Sequence, residues 1–100
     1  WNWQTTWGWD YGMIAMAAAR LGRPETALDA LLIDMQKNTY LNNGHNYQDQ
    51  RLRLYLPGNG GLLSAVALMC AGWDGCEEKN PGFPKDGNWD VRWEGLQPMP

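Results

Sequence analysis

The sequence predicts an all-α fold in which two apolar helices flank one amphipathic helix. Residues 10–21 and 60–71 have almost no polar face, and each run ends at a glycine, Gly22 or Gly72, the residue type that often follows a helix C-terminus. Residues 24–37 place Leu and Ala on one face and charged side chains on the other. We therefore predict a buried helix, a surface helix and a second buried helix, in that order.

Short polar residues and one proline indicate where these helices begin. Asp10 is a candidate cap of the first helix, although Thr5 or Thr6 could begin it earlier. Pro24 suits the first position of the second helix, where its missing N–H does no harm. Asn59 is the predicted cap of the third helix. For Asp10 and Asn59, capping is the structural alternative to a role in chemistry.

The remaining segments predict irregular structure. Residues 38–58 are rich in Asn, Gln and Tyr, and a loop of this length inside a compact domain usually indicates function or an accessory hairpin. Residues 52–56 alternate Leu with Arg, as a short extended piece would. Residues 73–100 predict a tail with four prolines and one strand, at residues 88–93, where aromatic and polar side chains alternate.

Composition limits the size of the domain and the class of its partners. One hundred residues with 44% hydrophobic content suffice for one small domain at most. The net charge of −3 and eight scattered Lys and Arg argue against a nucleic-acid partner, and no apolar run reaches the roughly 20 residues that cross a bilayer. We expect no cofactor and no metal site. Cys70 and Cys76 fit neither a zinc motif nor a disulfide framework, so a bond between them stays open.

The two apolar helices need more covering than one amphipathic helix can supply. Other protein must provide the missing walls, from the same parent chain or from an oligomer, and a toroid of enclosed inner helices and half-exposed outer helices has this pattern. The chain begins at Trp1 rather than Met, as a processed or excised chain does. We expect residues 1–100 to form one partial domain that self-associates or contacts the rest of its parent. Its location is unknown, with the periplasm and the extracellular medium as candidates.

Several short motifs follow one another along nearly the whole chain. They are Gly8-Trp9-Asp10, Ala19-Arg20-Leu21-Gly22, Ala27-Leu28, Gly58-Asn59-Gly60-Gly61, Gly82-Phe83-Pro84 and Val91-Arg92-Trp93-Glu94-Gly95-Leu96. In this order they resemble the last inner and outer helices, the final inner helix and the exit segment of family-95 glycoside hydrolases. Those enzymes are (α/α)6 barrels that act on α-L-fucosides and related sugars. The resemblance implies a C-terminal fragment of a glycoside hydrolase of the α-L-fucosidase or galactosidase type, inactive in isolation.

Two positions depart from the pattern of this family. The family's catalytic base, an Asp that precedes the Gly-Asn pair of the last inner helix, is Pro57 here, and proline cannot accept a proton. Asp10 stands where the family usually has a small hydroxyl residue. A hydrolase needs two carboxyl groups about its scissile bond. This chain offers Asp10, the candidate catalytic residue, and Asp49, with the partner acid upstream.

The inner helices of such a toroid run parallel, so their N-termini share one rim. Sugars stack their C–H faces on aromatic rings and bond through their hydroxyls to amides and imidazoles. The predicted substrate-binding residues are Trp7, Trp9, His45, Asn46 and Asn59. Four of the seven tryptophans, including Trp1 and Trp3, fall in the first nine positions and could instead fill a core. His45 could be an exposed turn residue. The expected partner is an oligosaccharide, bound through the parent protein.

Two other functions compete with a hydrolase fragment. Residues 17–28 resemble one helix–turn–helix of a tetratricopeptide interaction module. Such a repeat recurs after about 34 residues, and the pattern does not recur around residues 39–59. A non-catalytic carbohydrate-binding relic of the barrel is the second alternative, which Pro57 at the base position favours.

Overall fold

The computed structural model of the chain describes residues 5–100 and has a mostly helical architecture. The three helices are α1 (Gly8–Arg20), α2 (Pro24–Leu32) and α3 (Leu56–Ala71). A two-stranded antiparallel hairpin, β1 (Thr39–Tyr40) and β2 (Asn46–Tyr47), lies between α2 and α3 and follows a 3₁₀ turn, Gln36–Asn38. The fold is therefore a small helical domain with a hairpin rather than purely α-helical, and residues 5–100 do not themselves close into a toroid.

The start of α1 differs from the predicted one by two residues. The helix begins at Gly8, and Asp10 lies inside its first turn rather than at its cap. The Asp10 carboxylate accepts the backbone N–H of Trp7 at 2.8 Å, which is the acidic half of a capping box. Asp10 still serves the helix start, but from the third helical position.

A tight turn reverses the chain between α1 and α2. Gly22 has φ +75° and donates its N–H to the Ala19 carbonyl at 3.0 Å, while the Arg23 N–H reaches the Ala18 carbonyl at 2.9 Å. This pair of bonds is a Schellman motif, which closes the helix and requires a residue that tolerates positive φ. Pro24 then occupies the first turn of α2, as predicted.

The second helix is shorter than the predicted span of residues 24–37. It runs back along α1, where Ile14 lines a hollow together with Ala30. Ile33 is extended, and the Asn38 side-chain amide donates to the carbonyls of Leu31 and Ile33 at 2.9 and 3.0 Å. Because that amide satisfies carbonyls at the end of α2, the helix stops there rather than at residue 37.

The third helix packs parallel to α1. At one end, a Cβ placed on Gly12 would lie 2.4 Å from the Gly61 carbonyl oxygen, and one on Gly61 would lie 3.3 Å from the Trp9 Cα. At the other end, the Arg20 guanidinium lies 5.4 Å from the centre of the Trp73 ring. Glycines therefore let the two helix backbones approach closely at their N-termini.

The third helix also begins earlier than predicted, at Leu56 instead of residue 60. Pro57 lies in its first turn, where proline is favoured, and Asn59 lies inside the helix. The prediction of Asn59 as the helix cap is therefore wrong. Tyr55 is the N-cap residue, and its backbone N–H donates to the Asn46 carbonyl of the hairpin at 2.9 Å.

The core between the three helices consists mainly of small residues. Alanines from all three helices pack with four larger side chains, Leu28, Leu68, Met69 and Phe83, and with Cys70. The apolar faces outside this core are not covered: Leu63 and Val66 of α3 are 70% and 38% exposed. The predicted full burial of α1 and α3 therefore does not occur within residues 5–100.

The tail after α3 is irregular, as predicted, but the strand predicted at residues 88–93 does not form. The chain there is held by Asn80, whose side chain accepts the Trp93 indole N–H at 2.7 Å and donates to the Val91 carbonyl at 3.3 Å. The end of the tail returns to α3 through an isolated bridge between Trp73 and Met99. Residues 52–55 likewise form no strand.

Two further expectations concern the thiols and the membrane. Cys70 is buried and Cys76 is partly exposed, and both are free thiols. Burial raises the pKa of the Cys70 thiol. Within the described part of the chain, no helix is both long enough and apolar enough to cross a bilayer.

The close packing of α3 generates the first prediction. A Cβ on Gly58 would lie 1.8 Å from the Asn46 Oδ1, whereas one on Gly60 would meet nothing within 4 Å. We expect Gly58→Ala to lower the free energy of unfolding by about 1–3 kcal/mol, because the buried amide cannot move away. Gly60→Ala, the matched control in the same helix, should raise it by about 0.5–1 kcal/mol through helix propensity. Thermal unfolding followed by circular dichroism measures the stability of both variants. Equal melting temperatures would contradict the close contact between Gly58 and the Asn46 amide.

Candidate functional site

The N-termini of α1 and α3 and the hairpin meet at one end of the domain, and we call residues 7–10, 44–48 and 55–61 the rim. Trp9 and Asn59 lie at this same end, because Trp9 packs on Gly61 and Asn59 bonds to the hairpin. The expectation that the first and third helices begin at one end is met by residues 5–100, where Trp7 and Trp9 lie beside residues 43–49 and the start of α3. Trp1 and Trp3 lie outside the described residues.

Two buried amides, Asn46 and Gln48, join the hairpin to α1. The Asn46 Nδ2 donates to the Thr39 carbonyl at 3.1 Å, and the Gln48 Nε2 donates to the Lys37 carbonyl at 2.8 Å and to the Asn46 Oδ1 at 2.9 Å. The Gln48 Oε1 accepts the first helical N–H of α1, from Gly8, at 2.8 Å. Both side chains are fully buried, so these bonds offset the cost of removing the amides from water.

Glycines make room for the Asn46 amide at the ends of both helices. A Cβ on Gly8 would lie 2.0 Å from the Asn46 Oδ1, and one on Gly58 would lie 1.8 Å from the same atom. Neither space would accept a side chain without displacing the amide. The structure therefore gives Asn46 a positioning role between α1 and α3, with no exposed surface to offer a ligand.

Asn59 ties the hairpin loop to α3. Its Nδ2 donates to the Gly44 carbonyl at 2.8 Å, and its Oδ1 accepts the Asn46 backbone N–H at 3.2 Å. The Tyr40 hydroxyl adds a third link by donating to the Gly58 carbonyl at 3.2 Å. The amide of Asn59 is thus already engaged at both ends, while its side chain stays partly exposed.

The two described tryptophans of the rim differ in how far they are engaged. The Trp7 ring stacks on Tyr55 with centroids 5.7 Å apart, and the Lys37 ammonium lies 4.6 Å from the centre of the same ring. The Trp9 ring is also nearly half exposed, but among residues 5–100 it stacks on no other ring and lies beneath no cation. The two side chains are equally exposed, and they differ in that no ring or cation of residues 5–100 engages Trp9.

Charged and imidazole groups on the rim are few. Asp10 is buried, with one carboxylate oxygen engaged by the Trp7 N–H. Burial, and then the negative charge of Asp10, raise the pKa of the Tyr55 phenol. His45 is partly exposed in the hairpin loop, where its backbone N–H donates to the Asn43 side chain at 3.0 Å. Asp49 caps a turn through the Arg51 N–H at 2.8 Å.

Two structural residues, Gln48 of the rim and Lys37 beside it, are not among the predicted site residues. Gln48 follows Asn46 by two positions, and side chains two apart in an extended segment share one face, so the alternation around Asn46 was the available signal. Lys37 was assigned to a helix that ends five residues earlier, and only its position over Trp7 reveals a role. Within the described part of the chain, no group of three or more metal-ligating side chains comes together.

Tyr55 of the rim and Tyr40 of the neighbouring strand β1 generate a pH prediction. Burial raises the pKa of Tyr40, and burial with the Asp10 charge raises that of Tyr55, both from a usual 10.0. The folded chain then holds these protons more tightly than the unfolded chain does. The free energy of unfolding should be unaffected below pH 10 and should fall as the pH rises through the raised values.

A titration of phenolate absorbance checks this expectation. In the native chain, part of the tyrosine signal should titrate above the range seen in urea, and Tyr40→Phe and Tyr55→Phe should each remove a share of it. Asp10→Asn should lower the pKa of Tyr55 alone. A native titration that coincides with the one in urea would contradict the assigned causes.

Comparison with known proteins leaves the site to be interpreted from its own geometry. The chain matches no protein-family model, no curated protein and no solved structure. The resemblance to family 95 therefore stays a prediction that depends on the motifs quoted above.

Proposed function

We propose that α1, α2 and α3 are successive inner, outer and inner helices of a larger helical toroid, and that this chain supplies part of the substrate-binding rim of a glycoside hydrolase. The observation that carries the proposal is the parallel packing of α1 and α3, which puts Trp7, Trp9 and the hairpin at one end. Inner helices of a toroid share this direction, and the antiparallel α2 fits an outer position. The substrate class is an α-L-fucoside or α-galactoside, as the resemblance to family 95 implies.

Uncovered apolar surface supports the larger assembly. Met13 of α1 is 41% exposed and Leu63 of α3 is 70% exposed, although both helices are apolar around most of their circumference. Large contiguous apolar surface on a soluble protein usually marks a contact with other protein. Neighbouring helices of the toroid would cover these faces, as they cover inner helices on every side.

The rim residues divide into ligand contacts and positioning residues. Trp9 provides the stacking face, because its ring is half exposed and free of other rings and cations among residues 5–100. His45 donates to or accepts from a hydroxyl, since its ring is partly exposed in the hairpin loop. Asn46 and Asn59 act indirectly, because their amides hold the hairpin against both helices. Trp7 contributes the part of its ring that Tyr55 and Lys37 leave exposed.

Carbohydrate binding without catalysis is the second candidate. Asp10 is buried and has one oxygen engaged in the first turn of α1, and Pro57 occupies the first turn of α3 where the family's base is expected. Neither geometry provides a free carboxylate on the rim. Release of nitrophenol from nitrophenyl α-L-fucoside by the full-length protein separates the two candidates. A hydrolase whose rate is abolished by Asp10→Asn supports the first, and binding without turnover supports the second.

The exposed Trp9 ring generates a binding prediction. In the full-length protein we expect Trp9→Ala to weaken saccharide binding more than His45→Ala does, because Trp9 loses a large apolar face and His45 loses one hydrogen bond, worth about 0.5–1.5 kcal/mol. Calorimetric titration against fucosides, galactosides and arabinosides measures the affinities. Trp89→Ala removes a tail tryptophan that is equally exposed, at 45%, and serves as the matched control.

The outcome of that comparison is decisive for the rim. Unfolding measured on the same samples shows whether each variant keeps its fold. If Trp9→Ala and His45→Ala remain folded and bind saccharides with the affinity of the unsubstituted protein, the rim is not the binding site. The proposed binding function then fails, even if the helices do belong to a toroid.

The exposed faces of α3 generate a separate prediction about association. We expect the 100-residue chain to self-associate in solution, and Leu63→Gln with Val66→Gln to reduce this association, because both side chains are exposed and apolar. Light scattering over a range of concentrations measures it. If the unsubstituted 100-residue chain stays monomeric at high concentration, the expectation that other protein covers its apolar faces is contradicted.

A further inference from the structure

A shallow polar cavity of about 560 Å³ lies beside the rim, on the other face of the hairpin. Its lining consists of Gln36, Tyr47, Asp49, Gln50 and Arg51. The volume falls within the roughly 300–1,000 Å³ typical of small-ligand sites. None of the five was a predicted substrate-binding residue, although Asp49 was considered as a carboxylate.

The alternation of the second strand explains why these residues share a surface. Asn46 and Gln48 face inward and are fully buried, so Tyr47 and Asp49 lie on the opposite face, where they are partly exposed. The same buried amides that position the helices therefore also set the direction of the cavity wall.

The turn after the strand is held by the Asp49 side chain and by one backbone hydrogen bond. The Asp49 Oδ1 accepts the N–H groups of Arg51 and Leu52 at 2.8 and 2.9 Å, and the Gln48 N–H donates to the Leu52 carbonyl at 3.0 Å. Across the cavity, the Gln36 Nε2 donates to the Gln48 carbonyl at 2.8 Å. The wall is thus ordered without using the side chains of Gln50 or Arg51.

Several polar groups of the lining are left without partners. Among residues 5–100, the only ion pair joins Arg92 to Asp90, so the Arg51 guanidinium is unpaired. The Gln36 Oε1 and the Gln50 amide likewise make no hydrogen bond within this range. A ligand that offers several neutral donors and acceptors would satisfy them together.

We propose that this cavity is a second saccharide subsite, which takes one neutral sugar unit of the oligosaccharide that is the expected partner. Amide, carboxylate and guanidinium groups match pairs of neighbouring hydroxyls, and the Tyr47 ring supplies an apolar surface for C–H groups. One carboxylate, Asp49, and one guanidinium, Arg51, leave the lining without net charge. A neutral sugar therefore fits better than an anion.

The position of the cavity connects it to the rim. Gln36 of the lining precedes Lys37, whose ammonium lies over the Trp7 ring of the rim at 4.6 Å. Tyr47 belongs to both surfaces, so the cavity adjoins the rim and one extended ligand can contact both. This inference rests on the proposed function, since it assigns the rim to the same ligand.

Arg51 and Arg53 provide a matched test in the full-length protein. Both are exposed and carry the same charge two positions apart, but only Arg51 lines the cavity. Arg51→Ala should weaken binding of neutral tetrasaccharides ending in fucose or galactose by about tenfold to a hundredfold, as the loss of a hydrogen bond to a charged group does. Arg51→Lys should recover only part of the affinity, because it lacks the planar fork. Arg53→Ala should bind the tetrasaccharides with the affinity of the unsubstituted protein.

The comparison with methyl α-L-fucoside and methyl α-galactoside separates the subsite from the rim. Arg51→Ala should leave the affinity for these glycosides unchanged, whereas Trp9→Ala should weaken both the glycosides and the tetrasaccharides. If Arg51→Ala and Arg53→Ala bind tetrasaccharides alike while Trp9→Ala binds more weakly, the second subsite is wrong and the rim stands. If Arg51→Ala alone weakens binding, the rim is wrong. A parent protein that binds none of these probes overturns both.

Discussion

The buried amide pair Asn46–Gln48 is the constraint on which the rim depends. Amides removed from water are costly unless bonded, and here they bond to each other, to carbonyls ahead of and within the first strand, and to the first N–H of α1. A large buried polar group leaves no space beside it, which is why Gly8 and Gly58 lie against Asn46. One hairpin therefore sets how two helices begin and how closely they approach.

The chemistry available at the rim follows from this arrangement. Helix N-termini commonly offer unsatisfied N–H groups to a ligand, but the protein itself occupies the first N–H of α1 through Gln48, and Asp10 engages the N–H that precedes it. In the proposed function the side chains of the rim would therefore contact the ligand, and these side chains differ in the contacts that they already make. Trp7 already contacts Tyr55 and Lys37, whereas no ring or cation of residues 5–100 lies on the half-exposed Trp9. The opposite face of the same hairpin leaves Arg51 unpaired beside Tyr47.

The helices combine a narrow shared core with wide uncovered faces. Small residues such as Ala15 and Ala65 are fully buried and let α1 and α3 pack closely, but they also bury little apolar area. Leu68 and Met69 of α3 lie in this core, whereas Leu63 and Val66 of the same helix are exposed. Covering these outer faces would bury further apolar area, which is the physical reason for the proposal of a larger assembly.

The sequence alone determined the order of the three helices, the apolar character of α1 and α3 and the amphipathic character of α2, because helix periodicity, Gly22, Pro24 and Gly72 are local signals. It also placed Trp9 and Asn59 at one end, through the expectation that like helices run parallel. Only the tertiary structure decided which amides are structural. The sequence predicts Asn46 as a sugar ligand, whereas the structure buries it between the ends of two helices. The end of α2 could not be predicted, because it depends on the hydrogen bond from the Asn38 side chain to the Leu31 carbonyl. The role of Lys37 could not be predicted either, because it depends on a contact with the distant Trp7 ring.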